Sequence, residues 1–170
     1  MGKVGLALQS LFREFILLLP DEFSKFRVRY YNRHGCRISR GASLSPNVRV
    51  RGLLEMGAGS SIAQNGSIGG WGAGVFIGEN VMIAPNVVIV AFDHGTARTD
   101  IPMAQQENVE APVHIEDDVW ISANVTIGKG VRIGKGSIIG ANSYVNRDIA
   151  PYSIAAGVPA KVIKSRRGDA

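Results

Sequence analysis

Three histidines, one cysteine and several cation clusters are the side chains of this 170-residue sequence whose types could do chemistry. His34, His94 and His114 can each take or give a proton near neutral pH, and His94 follows directly on Asp93. Cys36 is the single cysteine, so no intrachain disulfide framework exists, which fits a reducing compartment. The net charge of +5 is unevenly spread. Lys25 to Arg51 holds eight basic residues and no acidic one, whereas residues 52–160 hold five basic and ten acidic. Lys161, Lys164, Arg166 and Arg167 make the C-terminal end basic again. Basic ends around an acidic middle suit an anionic ligand met at specific places, a phosphate-bearing molecule or an anionic membrane surface. No Gly-x-Gly-x-x-Gly fingerprint or Walker A loop is present, which argues against dinucleotide and nucleoside-triphosphate chemistry. With no zinc-finger spacing, helix-turn-helix or aromatic platform, nucleic acid is not an expected partner.

The elements that must position these groups are punctuated by 21 glycines and seven prolines, a density that no long helical bundle tolerates. Helices are expected only at the start. Leu8, Leu11, Phe12, Phe15, Ile16 and Leu19 recur with helical spacing and stop at Pro20. Asp21 can cap a second helix with an apolar face of Phe23, Phe26 and Tyr30, closing near Gly35. Two readings stay open for this segment. Either its apolar faces cover one end of the main domain, or it docks at a membrane surface or a partner with the nearby arginines helping.

From residue 113 onward the chain reads in sixes. Ile115, Ile121, Ile127, Ile133, Ile139 and Val145 are spaced by six, and Val119, Val125, Val131, Ser137 and Ser143 each follow a large residue by four. The same phase runs upstream through Ile38, Leu44, Val50, Met56, Ile62 and Ile68. After a short insertion at residues 69–74 it resumes at Ile77, Ile83 and Ile89. Six is neither the helical period nor that of a long strand. It fits an all-β solenoid with one short strand and one turn per hexad, three hexads to a coil and about 4.8 Å between coils. Large aliphatics fill the interior; glycine, asparagine and aspartate take the turns. Asn65-Gly66-Ser67 and Asn124-Val125-Thr126 match the glycosylation pattern but read as turns here. One excursion, His94 to Pro112, breaks the repeat, and a loop of that length in a compact coil is usually functional.

The repeat from Ile38 to Ile163 resembles the hexapeptide-repeat acyltransferases. The sugar O-acetyltransferase branch, with its maltose, galactoside and nodulation-factor enzymes, is matched by three segments. They are residues 83–87 leading to Asp93-His94, residues 117–121, and the closing residues 155–163. The resemblance implies a left-handed parallel β-helix with a short helical preface, a homotrimer, and acetyl coenzyme A as acyl donor with no metal. It makes His94 the general base, standing where the loop leaves the coil; His34 and His114 are the alternatives. Direct transfer needs no acyl-enzyme, so Cys36 need not act. Asp93, Gln64, Asn86 and Trp71 are the candidate acceptor contacts. Gln64 stands where close relatives have asparagine, and Gly72 where an acceptor-binding aspartate would fall. Coenzyme A is expected in a groove between subunits, with Trp120 as a wall and the backbone near Ala123 and Ala141 meeting the pantetheine arm. Asn146, Arg147, Lys161 and Lys164 match positions near the nucleotide, where cations favour the phosphates.

The expected organisation is a helical segment at 1–36, the β-helix at 37–164 with its loop at about 94–112, and a basic tail at 165–170. Sugar acetylation in surface polysaccharide or lipopolysaccharide synthesis is the leading expectation, with a cytoplasmic location and possible peripheral membrane association through the N-terminal segment. Three competitors are kept: acetylation of an amine on a nucleotide-linked amino sugar, a non-catalytic binding solenoid, and a zinc carbonic-anhydrase-like β-helix. The last needs three histidines at one metal, and the chain lacks the close histidine pair of that family.

Overall fold

A computed structural model describes residues 3–167. Two helices, α1 (Lys3–Leu18) and α2 (Ser24–Arg33), precede a parallel β-solenoid of short strands. Its inward residues form three vertical stacks. Ile38, Met56, Ile77, Ile115 and Ile133 line the first face. Leu44, Ile62, Ile83, Ile121, Ile139 and Ala155 line the second. Val50, Ile68, Ile89, Ile127 and Val145 line the third. Most of these side chains are sealed from solvent, and each fully buried one stabilises the coil by roughly 1.5–3 kcal/mol. The small residues of the repeat, Val119, Val125, Val131, Ser137 and Ser143, are buried as their spacing predicts.

Between the second and third faces the corners are turned by Asn47, Asn65, Asn86, Asn124 and Asn142, all at positive φ. Their amides form a ladder, each Nδ2 donating to the Oδ1 of the next coil at 2.8–3.1 Å. Asparagine tolerates this left-handed backbone and also satisfies its own side chain, so one residue type solves both problems at every coil.

Both ends of the stack are closed. At the C-terminal end Ala160–Ser165 turns back antiparallel along Ser153–Gly157. At the N-terminal end α2 lies on the first coil, whose outer backbone groups have no coil beyond them to pair with. Ser24 Oγ accepts from Leu44 N–H, and Tyr31 Oη bridges Val48 C=O and Val50 N–H. Asn32 pairs both ways with the Ile38 backbone. Arg27 is fully buried and donates to Leu44 C=O at 2.7 Å and to the Leu19 and Pro20 carbonyls that follow α1. Burial lowers the Arg27 pKa, with Asp21 opposing that shift, and raises that of Tyr31 to about 12.

Of the two readings left open for this segment, the one in which its apolar faces cover the end of the main domain is reversed: Phe23 and Phe26 are exposed, and the inward positions belong to Arg27 and Tyr31. The first coil's unpaired backbone demands hydrogen-bonding side chains, and that demand outranks the apolar pattern. In α1 the same reversal holds: Ile16 and Leu17 are buried, but Leu8, Leu11, Phe12 and Phe15 face solvent. Asp21 lies in a 3-10 turn (Asp21–Phe23) before α2 and makes no side-chain cap.

Candidate active site

Two departures from the six-residue period fall at the same corner, between the third and first faces. The strand Ser67–Ile77 bulges through residues 69–74, and in the following coil the excursion leaves after Val90 and returns at Val113. Glycine permits the first departure. Gly52, at φ +81°, and Gly70 press against the backbones of Trp71 and Leu53, where no Cβ would fit. The insertion at residues 69–74 is thereby absorbed within one strand, whose pairing with Arg49–Met56 shifts register twice there.

The excursion is built as a ribbon. Phe92–Asp93 pairs antiparallel with Val109–Glu110, and Gln106 bonds the Arg98 backbone both ways across the loop. Arg98 also pairs with Asp100, which lowers the Asp100 pKa. Two contacts lock the ribbon onto the bulge. The Trp71 and Phe92 rings lie 4.6 Å apart, and Glu110 Oε2 accepts from the N–H groups of Gly72 and Ala73 at 3.0 and 2.9 Å.

His94 stands at the foot of this ribbon, exposed, with its ring edge-on to Phe92 at 6.0 Å. Among the described residues its ring has no hydrogen bond or ion pair. Asp93 does not orient it, because the Asp93 carboxylate binds Lys129 Nζ at 2.6 Å. The other histidines are differently placed. His34 Nδ1 lies 2.7 Å from Tyr30 C=O at the end of α2. His114 is half-buried and stacked on Phe76, and burial, followed by Arg132, lowers its pKa. Cys36 is buried in the core, and burial raises the thiol pKa.

The remaining candidates fall into two groups. Gln64, Asn86, Ala123 and Ala141 occupy the asparagine corner. Asn86 is a rung of the ladder, its Oδ1 accepting from Asn65 and its Nδ2 donating to Asn124. Ala123 and Ala141 are neighbours in adjacent coils, the former's C=O accepting from Asn142 N–H. On the second face Trp120, Ile138, Ile154 and Lys164 form one outward row across four adjacent strands, with Lys161 beside Ala156. Asn146 and Arg147 instead follow Val145 at the corner from which the excursion departs. One chain thus sets Trp120, Lys161 and Lys164 on the second face and His94, Trp71 and Arg147 at the corner opposite it, between the third and first faces.

Glu110, Phe92 and Lys129 escaped the sequence reading. Glu110 and its amide partners are 37 and 38 residues apart, and only the excursion's fold joins them. Among the described residues, no group of three or more His, Cys, Asp or Glu side chains is placed to hold a metal ion. No helix among them is long and apolar enough to cross a membrane.

Comparisons with known proteins agree with this architecture. The bacterial transferase hexapeptide (six repeats) model matches residues 112–147. A probable acetyltransferase of Mycobacterium tuberculosis is 38% identical over 91 residues, which is 54% of this chain and 30% of that protein. The chain therefore matches under a third of that relative's length. A hexapeptide-repeat acetyltransferase of Vibrio cholerae, solved with acetyl coenzyme A, is 29% identical with a TM-score of 0.69, covering 88% of this chain and 80% of that one. A maltose O-acetyltransferase of Clostridium difficile is 28% identical with a TM-score of 0.71, covering 92% and 83%. In repeat and in coil this chain is thus similar to solved hexapeptide-repeat acetyltransferases, and residues 112–147 carry the bacterial transferase hexapeptide repeat itself.

Proposed function

We propose that the protein transfers an acetyl group from acetyl coenzyme A to a sugar hydroxyl, with His94 as general base. The observation that carries this reading is His94 itself, exposed and unpaired beside the Trp71–Phe92 surface where the excursion leaves the coil. The imidazole takes the hydroxyl proton as the hydroxyl oxygen attacks the thioester carbonyl. The carbon–sulfur bond then breaks, and the coenzyme A thiolate leaves and recovers a proton. An aromatic surface suits the apolar face of a sugar ring. Lys161, Lys164 and Arg147 would meet the coenzyme's phosphates, and Trp120 would wall its groove. Surface polysaccharide or lipopolysaccharide is the proposed setting.

A homotrimer follows from the same reading. His94 lies at one corner of the chain and the Trp120–Lys164 row on the face opposite it, and a neighbouring copy would bring the two groups into one groove. The test is release of coenzyme A thiol from acetyl coenzyme A in the presence of a panel of sugars. A product labile to mild alkali is expected, as an ester is. An alkali-stable product would move the acceptor to an amine, and a folded trimer that fails to bind acetyl coenzyme A would sink the reading.

A further inference from the structure

We infer that the outward face of the N-terminal helices docks this protein on an anionic lipid bilayer. The side of α1 that meets the coil is fixed by Leu17 C=O, which accepts from Asn47 N–H, and by Glu14, which pairs with Arg49. Away from those contacts, Leu8, Leu11, Phe12, Phe15 and Leu18 make an unbroken apolar strip with helical spacing, each 59–67% exposed. The side of α2 that meets the coil is fixed by Arg27 and Tyr31, and Phe26, Arg29 and Arg33 are exposed beside that contact. Both helices therefore leave these residues open to solvent at the same terminal coil. A strip of this kind marks a binding face, since it is left exposed among the described residues.

The charge beside the strip selects the occupant. Phe23 and Phe26, with rings 5.8 Å apart, lead from α1 to an open groove of about 710 Å³ between α2 and the first coil. Lys25, Arg29, Arg33 and Arg40 line it over a floor that includes Phe26 and Ile38. Among the described residues these four cations have no ion pair or hydrogen bond. Asp21 and Glu22, in the turn before α2, are the nearest acids in sequence, and none occurs from Lys25 to Arg51. A second copy on this face would set four cations against their like, which is unfavourable. A bilayer meets both requirements at once, acyl chains for the leucine and phenylalanine strip and anionic headgroups for the cations. The inference concerns where the protein sits and is independent of the acceptor.

Flotation of the full chain with phosphatidylcholine vesicles, with and without half the lipid replaced by phosphatidylglycerol, tests it. The protein should float with the anionic vesicles at least tenfold more tightly than with the neutral ones, and 1 M salt should release it. Arg29→Ala and Arg33→Ala should each weaken binding about fivefold, and Phe15→Glu should abolish it. Acetyl coenzyme A binding should be unchanged in all three variants, which separates lost docking from lost folding and from failure of the enzymatic reading. Failure to float, or equal binding to both vesicles, overturns the inference. So does a smaller assembly in Phe15→Glu together with no flotation of the parent protein, because a second copy would then cover the strip.

Discussion

Glu110 holds Gly72 by its backbone N–H, at 3.0 Å and across 38 residues of sequence. That bond, with its companion to Ala73, ties the ribbon that carries His94 to the bulge that carries Trp71. Removing the carboxylate should free the two pieces from one another without touching the core. Glu110→Ala is expected to shift Trp71 emission to the red and to lower kcat/KM more than it lowers Tm. Glu110→Gln keeps an oxygen acceptor and should restore much of both. If the emission and kcat/KM of Glu110→Ala match the parent, the clasp does not position the site.

His94→Ala should lower turnover about 10²–10⁴-fold with acetyl coenzyme A binding retained, as loss of a general base requires. The exposed ring contributes little to packing, so the melting temperature should hold. Turnover within a fewfold of the parent would remove His94 from the role.

Lys161 and Lys164 lie on the final antiparallel strand, within reach of the row that contains Trp120. Calorimetry with acetyl coenzyme A should show affinity falling about tenfold in the Lys161→Ala, Lys164→Ala double variant. Dephospho-coenzyme A should lose less, because a phosphate is already missing from it. Equal affinity in parent and variant would assign these lysines to the solvated surface.

The pH dependence of stability should carry a contribution from His114. Its pKa is lowered in the folded chain by burial and by Arg132, with Glu116 opposing. Protonation is therefore harder in the folded than in the unfolded state. Stability is complete above the unfolded value of about 6.5 and is lost as pH falls through the depressed folded value. Thermal melting from pH 7.5 to 5 should decline more steeply for the parent than for His114→Gln. Parallel declines would rule His114 out as the cause.

Arg27 should be the costliest surface-to-core contact to remove. Arg27→Met fills much of the same volume but leaves the carbonyls of Leu44, Leu19 and Pro20 without their donor. A loss of about 3 kcal/mol in urea unfolding is expected. A loss under about 1 kcal/mol would mean that water replaces the guanidinium.

The coil was legible in the sequence because its rule is local. Ile115, Ile121 and Ile127 each sit six residues apart and report three faces in turn, and the asparagines mark one corner by residue type alone. The two helices were legible too, from their spacing and from Pro20 and Gly35, but their inward sides were not, because those are chosen by backbone groups that only the folded first coil presents. Tyr31 and Arg27 go inward for Val48 and Leu44 carbonyls that lie 17 residues further along the chain. At the site, the placement of His94 beside the excursion was readable from the break in the repeat. Glu110 was not, since a carboxylate that binds two peptide N–H groups leaves no pattern of its own. Asn86 carries a local signal of another kind: it follows Ile83 by three residues, as Asn65 follows Ile62 and Asn124 follows Ile121, which marks it as a corner of the coil.

The strand Ala160–Ser165 runs against Ser153–Gly157, whereas the strands stacked as coils pair in parallel. A stack of parallel coils is otherwise an open template, able to recruit another chain's strand lengthwise. The reversed strand, with Lys161, Lys164 and Arg166 along it, offers an incoming parallel partner the wrong polarity and a like-charged rim. At the far end α2 closes the first coil with side chains in place of peptide groups. Fibre-like elongation is thus blocked at both termini, and the flanks are the surfaces left for self-association.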